Sequence, residues 1–141
     1  MWVYHCGPQW AKRLLLTGDT VSGADAARIG LVMKAVPPDL LEAEVEQLAD
    51  RLALVDADLL SANKRVINLG LELMGARTLQ RIAAESDARG HLSPGATAFR
   101  QMSKRDGLKA AFQHRDGRFG DGRARVDGPE IRDADGRLIK R

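Results

Sequence analysis

The chain has 141 residues, of which 44% are hydrophobic and 29% are charged, a size and balance that fit one soluble globular domain with a single core. Its formal charge of +3 comes from 22 basic and 19 acidic side chains that are interleaved along the sequence. Only 4% of the residues are aromatic, whereas a nucleic-acid-binding surface normally combines a basic stripe with stacking aromatic rings. These totals argue against a nucleic-acid partner and remain compatible with a phosphorylated ligand.

Cysteine content and apolar runs bear on the compartment. Cys6 is the only cysteine, so no disulfide can form within the chain, and this is typical of a reducing compartment. The opening residues lack the basic and apolar regions of a signal peptide. The longest leucine run, Leu14 to Leu16, is far shorter than the ~20 apolar residues of a membrane span. We therefore expect a cytoplasmic protein that does not enter a membrane.

Two short helices are predicted near the N-terminus. The first begins at Pro8, because proline suits the first helical position, and ends at Gly18. Ser22 and Asp25 have the spacing of a capping box and predict the start of the second helix. Gly30 can end that helix in a left-handed conformation.

An extended segment and a longer helix follow. Leu31 to Val36 is apolar and partly β-branched and is closed by two prolines, which predicts the only strand. The next stretch has leucine and valine at helical spacing, which predicts one apolar face of an α-helix. The residues of this face are Leu41, Val45, Leu48 and Leu52.

Capping residues mark three further helices. Asp56 is predicted to cap a helix that ends near Gly75, and Thr78 to cap one that continues to Gly90. Ser93 precedes a proline and predicts another helix start, after which Asp106-Gly107 interrupts the pattern before a last turn or two. The predicted fold class is mostly α with one short strand.

The last 22 residues, 120–141, are rich in glycine, aspartate and arginine and show almost no apolar periodicity. Such a segment buries too little apolar surface to offset an ordering cost of about 1 to 2 kcal/mol per residue. We therefore predict a helical region over residues 1–119 and a disordered charged tail over residues 120–141.

A run from Ala11 to Pro37 has a specific order of motifs. It contains Leu16-Thr17-Gly18, then the serine-capped helix, then Gly30-Leu31-Val32, and finally Val36-Pro37. This order resembles the crotonase superfamily, the enoyl-CoA hydratase/isomerase family. Two later segments, Ala62 to Asn68 and Asp106 to Phe112 with Arg115 and Phe119, are similar to family segments in the same order. The resemblance extends over about residues 7–121.

The resemblance implies the C-terminal helical part of a crotonase-like ββα-spiral fold. In that family two backbone N–H groups polarise a thioester carbonyl while a carboxylate moves a proton or activates water. The resemblance implies that these groups lie in a β-rich half upstream of Met1. We therefore expect no catalytic residue in this chain and an enoyl-CoA hydratase-like protein, involved in acyl-CoA and fatty-acid metabolism, that is truncated and inert by itself.

One group of residues is retained as a candidate ligand site. The family's last helix places a basic and an aromatic side chain near the adenine and phosphate end of a coenzyme A thioester, which implies contacts from Phe112, His114 and Arg115, with Arg118 and Phe119 beside them. Many members have lysine where this chain has His114, and histidine is in general largely neutral at pH 7. The alternative is a solvated helix end.

Other polar residues predict no site. The carboxylates considered as general acids are placed on helix caps or solvated helix faces; they are Asp25, Asp39, Glu42, Glu85 and Asp87. The three histidines and Cys6 lack metal-ligand spacing, so we expect neither a metal nor a required cofactor. Lys64 and Arg65 are expected to be surface charges.

Apolar residues at helical spacing are predicted to lie in the core or at a subunit interface; they are Leu41, Val45, Leu48, Leu52, Leu59, Val66, Ile67 and Ile82. The resemblance implies a trimer-type assembly built by this helical region. Two interpretations remain open, a truncated hydratase-like protein that forms homo-oligomers and a non-enzymatic module that assembles with a full-length crotonase paralogue.

Overall fold

The computed structural model describes residues 2–128 and 132–135. Within them the chain is mostly α-helical, as predicted, with one two-stranded parallel sheet. The elements in chain order are α1 (Trp2–Thr17), β1 (Thr20–Val21), α2 (Gly23–Arg28), α3 (Leu41–Ala53), α4 (Ala57–Leu73), α5 (Ala76–Gly90), α6 (Pro94–Asp106), α7 (Leu108–Asp116) and β2 (Arg123–Ala124). Single 3-10 turns, Pro38–Leu40 and Gly117–Phe119, precede α3 and follow α7.

The chain divides into two compact units. One unit contains residues 36–84, with α3, α4 and the first part of α5. The other combines residues 2–35 with the described residues 85–128 and 132–135, and it includes the sheet, α6 and α7. No helix of the described residues has the length and apolar character needed to cross a membrane.

The predicted first helix is confirmed from Pro8 onward. Gly7 has φ 74° and ψ 168°, which breaks α1 into a leading turn and the helix that starts at Pro8. At its end the N–H of Gly18 donates to the carbonyl of Leu14 at 2.9 Å, and Gly18 has φ 71°. Glycine adopts this left-handed conformation without the strain of a Cβ atom.

The cap of α2 is confirmed, and the position of the predicted strand is wrong. The N–H of Asp25 donates to Ser22 Oγ at 3.0 Å, and Gly30 has φ +79°. The N–H of Leu31 turns back and donates to the carbonyl of Ala26 at 2.9 Å, which closes the helix end. Residues 31–36 are therefore bent or irregular rather than paired. The strand lies earlier, at Thr20–Val21, where a parallel partner is available.

Two of the three later caps are confirmed. Asp56 Oδ1 accepts from the N–H groups of Asp58 and Leu59 at 3.1 Å each, and Ser93 Oγ accepts from that of Ala96 at 3.2 Å. The prediction that Thr78 caps α5 is wrong, since α5 already starts at Ala76. There Gly75, with φ +88°, ends the preceding turn and accepts from the N–H of Leu79.

The predicted tail begins directly after the turn Gly117–Phe119. Its described residues include β2, in which Arg123 and Ala124 pair with Thr20 and Val21. Residues 129–131 and 136–141 of this tail lie outside the described residues. The proposed boundary at residue 119 and the disorder of the tail as a whole stay predictions.

The buried side chains of the described residues are mostly small, and many of the larger apolar ones are exposed. Buried positions are Cys6, Ala11, Leu14, Ala26, Ala76, Ala111 and Ala124. On α3, by contrast, Leu41 is 56% exposed and Val45 58%. All eight apolar positions predicted for a core or interface are exposed. Their assignment to a core of this chain is therefore wrong, and the interface interpretation stays a prediction.

Two glycine substitutions test how backbone conformation limits this fold. Gly30 has φ +79°, and a Cβ atom at this position would lie 2.9 Å from the carbonyl oxygen of His5. We therefore expect Gly30→Ala to lower the free energy of unfolding by about 2 kcal/mol or more. The control is Gly70→Ala in α4, where no atom lies within 4 Å and alanine favours helix by about 0.5 to 1 kcal/mol. Urea unfolding measures both. Equal effects of the two substitutions would contradict the prediction.

Candidate functional site

The candidate site is formed by α6 and α7, which are joined by Gly107. This glycine has φ 88° and ψ 159°, so one helix ends and the next begins around a single residue. The rings of Phe99 on α6 and Phe112 on α7 meet edge to face, with centroids 5.3 Å apart and planes inclined by 64°. Such pairs contribute about 0.5 to 1.5 kcal/mol beyond the burial of their area. The aromatic pair therefore holds the two helices together at this point.

Arg115 joins the aromatic pair with its guanidinium group. The guanidinium carbon lies 5.0 Å from the centroid of Phe99 and 5.0 Å from that of Phe112. Nη2 of Arg115 also donates to Oδ2 of Asp116 at 2.8 Å. This hydrogen bond and the charge of Asp116 raise the pKa of Arg115 above its ordinary value, although partial burial opposes the shift. Arg115 is therefore charged at any physiological pH.

Two cavities adjoin this cluster. A cavity of about 200 Å³ is lined by Gly95, Ala98, Phe99, Met102, Ala111, His114, Arg115 and Arg118. A wider one of about 570 Å³ is lined by His91, Ser93, Gly95, Ala96, Phe99, Arg100 and Arg115. Phe99 and Arg115 line both cavities. Each cavity therefore contains a flat apolar ring and a permanent cation. This combination suits a ligand with a phosphate and a planar ring.

The three predicted ligand contacts occupy different positions in this cluster. His114 and Arg115 line the smaller cavity. Phe112 does not line it and instead packs on Phe99 and Arg115. Phe99 and Met102 also line the smaller cavity, although sequence reasoning did not single them out as site residues. The available signal was their spacing of three residues, which places both on one face of α6.

The remaining polar candidates have ordinary structural roles or surface positions. Asp25 takes part in the cap of α2 and lies 3.5 Å from Arg28, and His91 Nδ1 lies 2.9 Å from the carbonyl oxygen of Asp87. Lys64 and Arg65 are exposed, as predicted, and line a shallow groove in the unit of residues 36–84. No group of three or more potential metal ligands occurs within the described residues.

The comparisons with known proteins identify the class of this fold. The family model "Enoyl-CoA hydratase/isomerase" matches residues 1–119. This chain belongs to the enoyl-CoA hydratase/isomerase family. It is 31% identical over 113 residues to a crotonyl-CoA hydratase from Syntrophomonas wolfei, a match that covers 80% of this chain and 40% of that protein. It is 34% identical over 112 residues to a probable enoyl-CoA hydratase from Rhizobium meliloti, with coverages of 77% and 42%.

Solved structures agree with this assignment. An enoyl-CoA hydratase from Mycobacterium smegmatis superposes with a TM-score of 0.78 at 35% identity, covering 85% of this chain and 41% of that one. An enoyl-CoA hydratase/isomerase from Xanthobacter autotrophicus Py2 gives a TM-score of 0.75 at 38% identity, with coverages of 83% and 45%. The resemblance predicted from the motifs is therefore confirmed. The chain spans less than half the length of these relatives.

Proposed function

We propose that this chain is the helical, C-terminal part of an enoyl-CoA hydratase-like protein, that it binds a coenzyme A thioester between α6 and α7, and that it is catalytically inert by itself. The observation that carries the proposal is the stack of Arg115 on Phe99 and Phe112 beside the smaller cavity. Family membership supports the choice of ligand. The role in acyl-CoA metabolism and the cytoplasmic location belong to the same proposal.

The ligand contacts follow from the chemistry of coenzyme A. Its phosphates need charge-assisted donors and its purine needs a flat apolar surface. Arg115 supplies a planar cation, His114 lines the same cavity, and the ring of Phe112 stacks on the guanidinium of Arg115. No metal or further cofactor is needed for this binding.

Inertness rests on what the candidate cavity offers for proton transfer. Hydration of an enoyl thioester needs polarising N–H donors and a carboxylate within hydrogen-bond reach of the reacting atoms. The described residues that line the smaller cavity include no carboxylate. Loss of one oxyanion donor alone costs about 10² to 10³ in rate.

Binding is tested by titrating free coenzyme A into the purified chain in a calorimeter. We expect Arg115→Gln to weaken binding about tenfold, since a charge-assisted hydrogen bond and a stacked cation are lost together. The matched control is Lys109→Gln, which removes a charge from an exposed position on the same helix and should leave affinity unchanged. Equal losses in the two variants would contradict a specific site, and absence of binding to the wild-type chain would refute it.

Catalysis is tested by following the hydration of crotonyl-CoA with the wild-type chain. We expect no turnover above the buffer rate, because the described residues that line the smaller cavity include no carboxylate to activate water. Circular dichroism on the same sample establishes that the helices are formed. Turnover at a rate normal for a hydratase would overturn the proposal of inertness.

The exposed stripe on α3 favours the second candidate function, assembly through helix faces. Four apolar side chains that are 40 to 58% exposed line up along it; they are Leu41, Val45, Leu48 and Leu52. Fully burying such a side chain is worth about 1.5 to 3 kcal/mol. We propose that this stripe packs on another copy of the chain or on a full-length crotonase paralogue, in a trimer-type assembly.

Assembly is measured by light scattering on the purified chain, alone and after mixing with a full-length crotonase paralogue. We expect an oligomer, and we expect Val45→Glu to shift it toward monomer because a carboxylate would be buried in the interface. Gln47→Glu adds the same charge at another exposed position of α3 and should have little effect. A monodisperse monomer that does not bind the paralogue would argue against this function.

A further inference from the structure

Residues Gly120 to Asp127, which we call the strap, dock on β1 and α2. The backbone N–H of Thr20 and its Oγ1 hydroxyl both donate to the carbonyl oxygen of Gly122, at 2.7 Å and 3.0 Å. The strands then pair in parallel, Thr20 with Arg123 and Val21 with Ala124. Two donors on one carbonyl, next to a paired register, hold the strap at a defined position along β1.

Burial and charge secure the strap along its length. Ala124 is only 3% exposed, so its methyl group is enclosed. At the far end the Nη1 of Arg28 donates to Oδ2 of Asp127 at 2.5 Å, and Arg28 also lies 3.5 Å from Asp25. The hydrogen bond from Arg28 lowers the pKa of Asp127 below its ordinary value. Exposed ion pairs contribute little to stability. The backbone bonds and Ala124 are therefore the main anchors.

The strap starts immediately after the turn that carries an arginine of the candidate site. Arg118 lines the smaller cavity, and its guanidinium carbon lies 5.1 Å from the centroid of the Phe119 ring. Gly120 follows with φ 73° and leads directly into the strap. A docked strap therefore fixes the C-terminal end of the Gly117–Phe119 turn. It thereby also fixes the backbone of Arg118, which lies within this turn.

We propose that the strap is a positioning device, which by docking on β1 holds Arg118 at the smaller cavity for an anionic group of the ligand. The identity of the ligand rests on the proposed coenzyme A site. The docking of the strap rests on its own contacts with β1 and α2. The strap follows residue 119, where the family match ends. Ala124 and Asp127 act through Arg118 and are positioning residues.

The test uses Ala124→Glu, because a longer, charged side chain has no room at a position that is 3% exposed. Amide hydrogen exchange of Thr20, followed by NMR, reports docking, and coenzyme A titration reports the site. We expect exchange of Thr20 to become at least about tenfold faster and affinity to fall about threefold. Ala53→Glu makes the same substitution at an exposed alanine and should change neither.

Milder and combined variants separate positioning from a general loss of structure. Thr20→Val removes only the Oγ1 donor, and Asp127→Asn removes only the ion pair, so we expect each to speed exchange of Thr20 about two- to fivefold. Asp127→Glu keeps the carboxylate that pairs with Arg28, so the amide of Thr20 should exchange as slowly in this variant as in the wild-type chain. Protection of the Gly18 amide, which ends α1, should stay unchanged in every variant. When Arg118→Gln is already present, Ala124→Glu should weaken binding no further, because its effect passes through Arg118.

Each result decides one part of the proposal. Unchanged exchange of Thr20 in Ala124→Glu and in Thr20→Val would overturn the docking. Faster exchange with unchanged affinity, or additive losses in the combined variant, would overturn the positioning of Arg118. If the wild-type chain binds no coenzyme A, the proposed function fails and the positioning of Arg118 fails with it, while exchange of Thr20 still decides whether the strap docks.

Discussion

The main constraint on this structure is that the described residues bury few large apolar side chains against one another. Their buried positions are mostly alanines, while leucines and valines along α3 and α4 remain exposed. Burial of a whole leucine or valine is worth about 1.5 to 3 kcal/mol, so much of this stabilisation is not realised among the described residues. Local hydrogen bonds must therefore define the helices. Asp56 and Ser93 cap α4 and α6, and Gly18, Gly30 and Gly107 end helices in left-handed conformations.

This local character explains why a site can form between α6 and α7. Phe99, Phe112 and Arg115 lie within 17 residues of one another, and Gly107 supplies the sharp junction that brings the two helices together. The strap adds a distant support, because the hydrogen bond from Thr20 to Gly122 joins residues 102 positions apart. The candidate ligand site is therefore formed mainly by contacts between residues that are close in sequence.

The sequence predicted best what depends on local chemistry. The caps at Ser22, Asp56 and Ser93 and the stop at Gly18 follow from single side chains and from glycine's freedom, and all were confirmed. The strand was placed wrongly because β propensity in Leu31 to Val36 indicates an extended shape but supplies no partner. The strap was missed for the converse reason. Its docking uses backbone bonds, one alanine and ion pairs, none of which produces the apolar periodicity by which strands are predicted.

The distribution of charge in the candidate site suggests different roles for its two arginines. Asp116 already accepts hydrogen bonds from Arg115, so an incoming phosphate must compete with that carboxylate for the guanidinium. Stacking on two rings leaves Arg115 as a flat, oriented surface on which a planar group can lie. Within the described residues no carboxylate pairs with Arg118, so its charge is the one that a phosphate can bind at the lower cost. The share of the affinity for an anion that Arg118 contributes therefore depends on where Arg118 is held, and we propose that the strap sets this position.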